Sequence, residues 1–227
     1  MKIQKMIKVF VNGGGSSPYD EIAKYYGWEI GLNSGGKSKN NQPLFMIDNH
    51  FQQYNHKIHL TTIKNNRPHL ASLKDIESHD NQEAIYQWAL EINSYCDRLI
   101  IIPKCEINFL KILDIPNILI GLPLGKFQNL YSWHYALKYP YQIHLLGSSP
   151  LNWLRAIQRI GSEKIYSGDS NYLSNIARFG KVYKNFKSRK PFLYEVKNGR
   201  NFNYRCFDFS LNNYPSLVMK NKQLNLF

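Results

Sequence analysis

The stretch IHLLGSSPLNWLRAIQRIGSEKIYSGDS, residues 143–170, decides the fold. Ile143 to Gly147 is a short uncharged apolar run bounded by a turn signal, the pattern of a buried strand. Ser149-Pro150 then reads as a helix N-cap and first-turn proline. Leu151, Trp153, Leu154, Ile157 and Ile160 place one apolar stripe on that helix, and Gly161 ends it. Lys164 to Ser167 forms a second run, which stops at Gly168-Asp169. A strand, a helix and a strand in immediate succession point to a parallel pair with a covered face.

The same rhythm extends outward in both directions. Further runs lie at Ile7 to Val11, Leu44 to Asp48, His69 to Asp75, Leu99 to Lys104, Ile118 to Leu124 and Lys181 to Tyr183, which makes eight in all. Asn81 to Cys96 carries Ala84, Ile85, Trp88, Ala89, Ile92 and Cys96 at helical spacing between two of them. Eight strands with intervening helices in 227 residues predict a (β/α)8 barrel, a single α/β domain over residues 1–185. Residues 186–227 are then a basic C-terminal extension packing on the barrel. A doubly wound open sheet is the alternative reading.

Composition narrows the setting. Three cysteines, without a CxxC pair or a Cys/His cluster at zinc spacing, indicate neither a disulfide framework nor a metal site, and no cofactor is implied. No run approaches the roughly 18 apolar residues of a membrane span, so the expectation is a soluble, cytoplasmic protein without a membrane partner. Lys plus Arg is 29 against 16 acids, a formal +13, which suits a polyanionic partner such as nucleic acid. A Lys-, Asn-, Ile- and Tyr-rich composition would by itself contribute part of that charge.

The ends of the runs carry the chemistry. They stop at Asp48-Asn49-His50, at Asp75, at Pro103-Lys104, at Gly121-Leu122-Pro123-Leu124-Gly125, at Gly147-Ser148-Ser149 and at Gly168-Asp169. In a parallel barrel these ends share one face, where such folds keep their active sites. Asp48, Asp75, Lys104 and Asp169 would converge there. Each alone is as readily a turn or capping residue.

Read in order, FMIDNHFQ, GLPLG and the 143–170 block resemble the tRNA-guanine transglycosylase superfamily, barrels that exchange guanine in nucleic acid for a 7-deazaguanine. The likeness spans residues 44 to 170 and rests on order and spacing. It implies that Asp169 is the nucleophile and Asp48 a general acid and base beside the exchanged base. Asp75 then reads the guanine-like edge, the backbone of Gly121 and Leu122 hydrogen-bonds the base, and Leu146 covers its face. The chain is similar in length to the short phage- and plasmid-associated relatives, some of which act on DNA. It departs from the family where Ser-Gly-Gly gives way to Asn49-His50-Phe51, where a base-reading glutamine gives way to Lys104, and in lacking the zinc-binding subdomain of the tRNA enzymes.

The expected activity is therefore that of a pentosyltransferase on guanine in nucleic acid, DNA ahead of tRNA, with a free 7-deazaguanine as second substrate. A carboxylate that attacks C1′ gives a covalent glycosyl-enzyme and splits one difficult substitution into two, and a second carboxyl moves the proton. KVYKNFKSRK, residues 181–190, interleaves Lys181, Lys184, Lys187, Arg189 and Lys190 with Tyr183 and Phe186, a composition suited to backbone contact and stacking. His50, beside Asp48, is a further candidate for substrate contact, and His144 reads as a packed strand residue. Trp133 and His134 belong either to the base pocket or to the helix behind it. NGGGSSP, residues 12–18, lacks the spacing of a nucleotide loop. Two other classes stay open: a non-catalytic nucleic-acid-binding relative, and a metabolic barrel enzyme that seats a phosphate at Gly147-Ser148-Ser149. Oligomeric state is not legible.

Overall fold

The computed structural model describes residues 6–12, 18–36, 43–49, 53–107, 110–183, 192–193 and 200–213. Eight parallel strands close on themselves in chain order: β1 (Ile7–Asn12), β2 (Glu29–Asn33), β3 (Met46–Asp48), β4 (Leu70–Ser72), β5 (Arg98–Ile101), β6 (Ile118–Pro123), β7 (Ile143–Leu146) and β8 (Ile165–Asp169). β8 pairs with β1 through Ile7 and Ser167, Lys8 and Gly168, Val9 and Asp169, which completes the cylinder and removes the edges an open sheet would keep. The protein is a (β/α)8 barrel, not the doubly wound sheet.

Outside the strands run α1 (Pro18–Tyr25), α2 (His56–Asn66), α3 (Gln82–Asn93), α4 (Leu130–Lys138), α5 (Pro150–Ile160), α6 (Tyr172–Ala177) and α7 (Arg200–Asn212). Among its described residues, the β5–β6 crossover holds a 3-10 turn, Leu110–Asp114. Asn55, Asn81 and Asn129 cap α2, α3 and α4, each side chain accepting a backbone N–H of the first turn. Among the described residues, no helix is long and apolar enough to cross a membrane.

Two expectations about the strands need correction. The run Lys181 to Tyr183 is not the eighth stave. Its first two residues form β9 (Lys181–Val182), which pairs antiparallel with β10 (Phe192–Leu193) outside the barrel. The missing stave is β2, whose sequence Glu-Ile-Gly-Leu-Asn shows only two large apolar residues. Gly31 has to be small, because a Cβ there would lie 2.9 Å from Val11 Cγ2 and 3.2 Å from the Met46 carbonyl oxygen.

Alternation sorts the side chains into two cores. Val9, Val11, Met46, Leu70, Ile100, Ile102, Leu119 and Tyr166 pack together within the cylinder. Ile30, Leu32, Ile47, Ala71, Leu99, Ile101, Ile118, Ile120, Ile143 and Leu145 face outward into the layer beneath the helices. The N-terminal end is closed by polar aromatic contacts: the Tyr166 hydroxyl meets His69 Nε2 at 2.5 Å, His69 Nδ1 meets Asp97 at 2.7 Å, and the Arg98 guanidinium lies 4.2 Å over the Tyr166 ring.

Candidate active site

One irregularity in β8 decides what reaches the opposite end. The register runs from Ile143 and Ile165 to His144 and Ser167, so Tyr166 is an extra residue opposite β7. In strict alternation Asp169, four residues after the outward-facing Ile165, would also face outward. The bulge inverts that parity, and Asp169 enters the C-terminal mouth on the same side as His144. Outward-facing Gly168 then lies against α5, where a Cβ would sit 3.1 Å from the Trp153 ring. Trp153 itself is fully buried, stacks on Trp28 and donates from Nε1 to the Gly147 carbonyl oxygen at 2.6 Å.

Asp169 is held by one oxygen. His144 Nε2 donates to Oδ1 at 3.0 Å and the Gly147 backbone N–H donates to the same atom at 3.2 Å. His144 is completely buried, and its Nδ1 lies 2.8 Å from the Ser167 hydroxyl. A carboxylate only accepts, so Nε2 carries a proton and, in the neutral ring, Nδ1 accepts from Ser167. Among the described residues no protein donor meets Asp169 Oδ2.

Asp48, at the end of β3, is also held by one oxygen. Its Oδ1 accepts from the Ser72 hydroxyl at 2.7 Å and from the Asn49 backbone N–H at 2.9 Å. Burial pushes its carboxyl up to about 7, and the Asp169 charge adds to the rise against the opposing hydrogen bond from Ser72. Its support extends to α2. The neutral ring of His59 donates from Nε2 to the Ser72 carbonyl oxygen at 2.7 Å and accepts at Nδ1 from the Ser34 hydroxyl, while the Ser34 backbone N–H donates to the Asp48 carbonyl oxygen at 2.8 Å. Burial lowers His59 to about 4, so this buried ring is neutral at physiological pH.

The other expected residues fall into distinct places. Asp75 lies beyond β4, and its Oδ2 is 2.5 Å from Lys104 Nζ. Burial raises the Asp75 carboxyl while Lys104 pulls it down, and its charge also reaches Asp48. Gly121 faces the interior, where a Cβ would come to 2.7 Å of Ile102 and 3.1 Å of Leu146. β6 continues past Ile120, its last register partner on β5, so the Gly121 to Pro123 backbone lines the mouth. The Leu122 side chain points the other way, into the outer core. Leu146 packs at the top of the interior cluster.

Asn49, which stands where the resembled family has a serine, does not project into the mouth. It is buried, and its side-chain amide turns back to donate to the Leu73 carbonyl oxygen at 2.6 Å. Trp133 and His134 belong to the outer face: Trp133 packs beneath the Arg159 guanidinium of α5, 4.4 Å from its ring, and His134 is exposed. Lys181 is exposed on β9. His50, Lys184, Lys187, Arg189 and Lys190 lie outside the described residues, as do residues 13–17 of the glycine-rich stretch.

The sequence reading of His144 as a packed strand residue holds, since it is completely buried on β7, but its contact with Asp169 was not foreseen, and Ser72, Ser34 and His59 were not singled out. A signal existed for His144, since it stands two residues before inward-facing Leu146 and so shares its face. Among the described residues, no three His, Cys, Asp or Glu side chains form a group able to hold a metal ion.

The molecule is thus an α/β barrel with two supported carboxyl groups at its C-terminal mouth. By its sequence the chain belongs to a family of unknown function, DUF6610, whose model it matches over residues 23–214, a span that includes both carboxylates and α7. No curated protein and no solved structure matches it.

Proposed function

We propose that the protein is a base-exchange transglycosylase that replaces guanine in DNA with a 7-deazaguanine through a glycosyl ester on Asp169. The observation that carries this reading is the unequal pair: two carboxyl groups share one mouth, one of them is pushed up to about 7, and the other is oriented by two donors on a single oxygen. Two carboxyls in environments that separate their protonation can divide acid and nucleophile between them.

The steps follow from those roles. Asp169 Oδ2 attacks C1′ of the target nucleotide as the C1′–N9 bond breaks and its electron pair leaves with the purine. Asp48, protonated near neutrality, gives its proton to the departing guanine. The incoming 7-deazaguanine then attacks C1′ through its ring nitrogen, Asp48 takes up the proton, and Asp169 is released. Two displacements retain the configuration at C1′. Reaching C1′ requires the nucleotide to leave its stack. The phosphate-cradle alternative is disfavoured because the Gly147 N–H that a phosphate would need already serves Asp169, whose charge would repel an anion.

The test is exchange of labelled guanine into single-stranded DNA, duplex DNA and tRNA, with denaturing gels for a protein–nucleic acid adduct. Incorporation that disappears in Asp169→Asn supports the reading. Retained exchange in that variant, or nucleic-acid binding with neither exchange nor adduct on any polymer, overturns it.

A further inference from the structure

The positive charge is not spread along the chain. Residues 1–114 contain 13 Lys and Arg against 12 Asp and Glu, whereas residues 115–227 contain 16 against 4. No acid occurs between Asp114 and Glu163. A coding bias toward lysine would not thin the carboxylates of one half of the protein to a third of those in the other. The acid-free stretch builds β6, α4, β7 and α5, the wall of the mouth that supplies His144 and Gly147 to Asp169.

On the rim of that wall the chain leaves large apolar side chains in water. The turn Gly125–Phe127 follows directly on the C-terminal end of β6, and α4 starts at Leu130. Phe127 is 54% exposed, Leu130 86% and Tyr131 45%. Lys126 Nζ lies 4.8 Å over the Phe127 ring. The lip therefore joins exposed rings to a cation within a sector whose charged residues, Lys126, Lys138, Arg155 and Arg159, are all basic.

A second copy of this chain is a poor occupant, because a two-fold interface here would set like charges against each other. A polyanion with free aromatic faces is the complementary one. Bases in a duplex already cover each other's faces, whereas unpaired bases can stack on side chains while phosphates meet the ammonium. We infer that Lys126, Phe127, Leu130 and Tyr131 form a docking lip for single-stranded DNA beside the target nucleotide, with bases stacked on Phe127 and Tyr131 and a phosphate at Lys126. This rests on the DNA base-exchange reading and names the surface that would hold the unstacked strand.

Fluorescence anisotropy with a labelled single strand of DNA tests it, since substitutions at exposed positions leave the core intact. Phe127→Ala and Tyr131→Ala are each expected to weaken binding by about fivefold or more, and Tyr131→Phe by less than about twofold. Lys126→Ala should reduce the slope of log K against log salt by about 0.7. Leu137→Ala, in the last turn of the same helix and 43% exposed, should bind like the wild type. If the wild type binds single strands but the Phe127 and Tyr131 variants bind equally well, the lip is overturned and the exchange reading stands. Sedimentation that turns a dimer into a monomer in those variants, with DNA affinity unchanged, also overturns the lip, as does a loss confined to duplex or RNA. No binding of single-stranded DNA by the wild type at low salt overturns both readings. Lip-dependent binding with no base exchange keeps the lip and overturns the reaction.

Discussion

Asp48 has a measurable consequence even before any substrate is known. Its carboxyl is raised from 3.8 to about 7, so the folded protein holds this proton more tightly than the unfolded chain. The contribution is most favourable at acid pH and is lost as pH rises through the interval from about 4 to about 7, beyond which ionised Asp48 remains a constant burden. Asp48→Asn should therefore raise the melting temperature at pH 8 and change it little at pH 4. A melting-temperature difference independent of pH would count against the raised value. Ser72 acts in the opposite sense, because its hydroxyl stabilises the carboxylate form. Ser72→Ala should move the Asp48 titration to higher pH, read from the side-chain carboxyl carbon by NMR, and should carry the alkaline limb of any exchange activity, where Asp48 loses the proton it donates, the same way. The two aspartates were legible in the sequence because each ends an apolar run. The pairing of each with its supporting partner was not, even where alternation marks the face of His144, since Ser72 stands 24 residues from Asp48 and His144 stands 25 from Asp169, separations that only strand register converts into contact.

Among the elements, α4 links the mouth to the outer layer, and its start rests on one side chain. Asn129 accepts the Ser132 backbone N–H at 2.8 Å and donates to the Ser132 hydroxyl at 3.1 Å, while that hydroxyl donates to the Pro103 carbonyl oxygen beyond β5. Asn129→Ala should cost about 1 kcal/mol in denaturant unfolding, the usual loss of a cap. It should also loosen the turn that carries Lys126 and Phe127. Element type was legible where an apolar stripe recurred at helical spacing, as in α3 and α5, although Ser149, read as the N-cap of α5, makes no side-chain capping bond. It was not legible in β2, where Gly31 interrupts the apolar pattern for the sake of close approach to Val11 and Met46. The bulge in β8 was equally hidden, because an extra residue opposite β7 leaves no mark in composition. Without it, the most persuasive motif of the chain would direct its aspartate out of the mouth.

For the whole molecule, the question is whether the C-terminal segment is an appendage or part of the barrel's outer layer. α7 packs against α1 and α6 and inserts Cys206, Phe207 and Leu211 into the outer core. Phe207 is 1% exposed, lies 5.3 Å from Phe10 of β1 and meets Tyr19 of α1 edge-on at 5.1 Å. Ser210, also buried, accepts the backbone N–H of Tyr183, and the Tyr26 hydroxyl donates to Asp208 at 3.0 Å. These contacts cover the outer face of the strand at which the cylinder closes, so α7 does the work of an outer-ring helix. Phe207→Ala removes a ring from a packed interface and should cost about 3–5 kcal/mol, with unfolding remaining a single transition by near-ultraviolet and far-ultraviolet circular dichroism. An independent appendage would behave otherwise: the same substitution would leave the barrel's melting temperature in place and separate a small early transition from the main one. The distinction bears on the reaction as well, because Val9 of β1 pairs with Asp169 and Ser170 donates its backbone N–H to Val9 at 3.0 Å. Loosening the outer cover of β1 should thus reach the nucleophile through the closing seam, and adduct formation in Phe207→Ala should fall even at temperatures where the variant is fully folded.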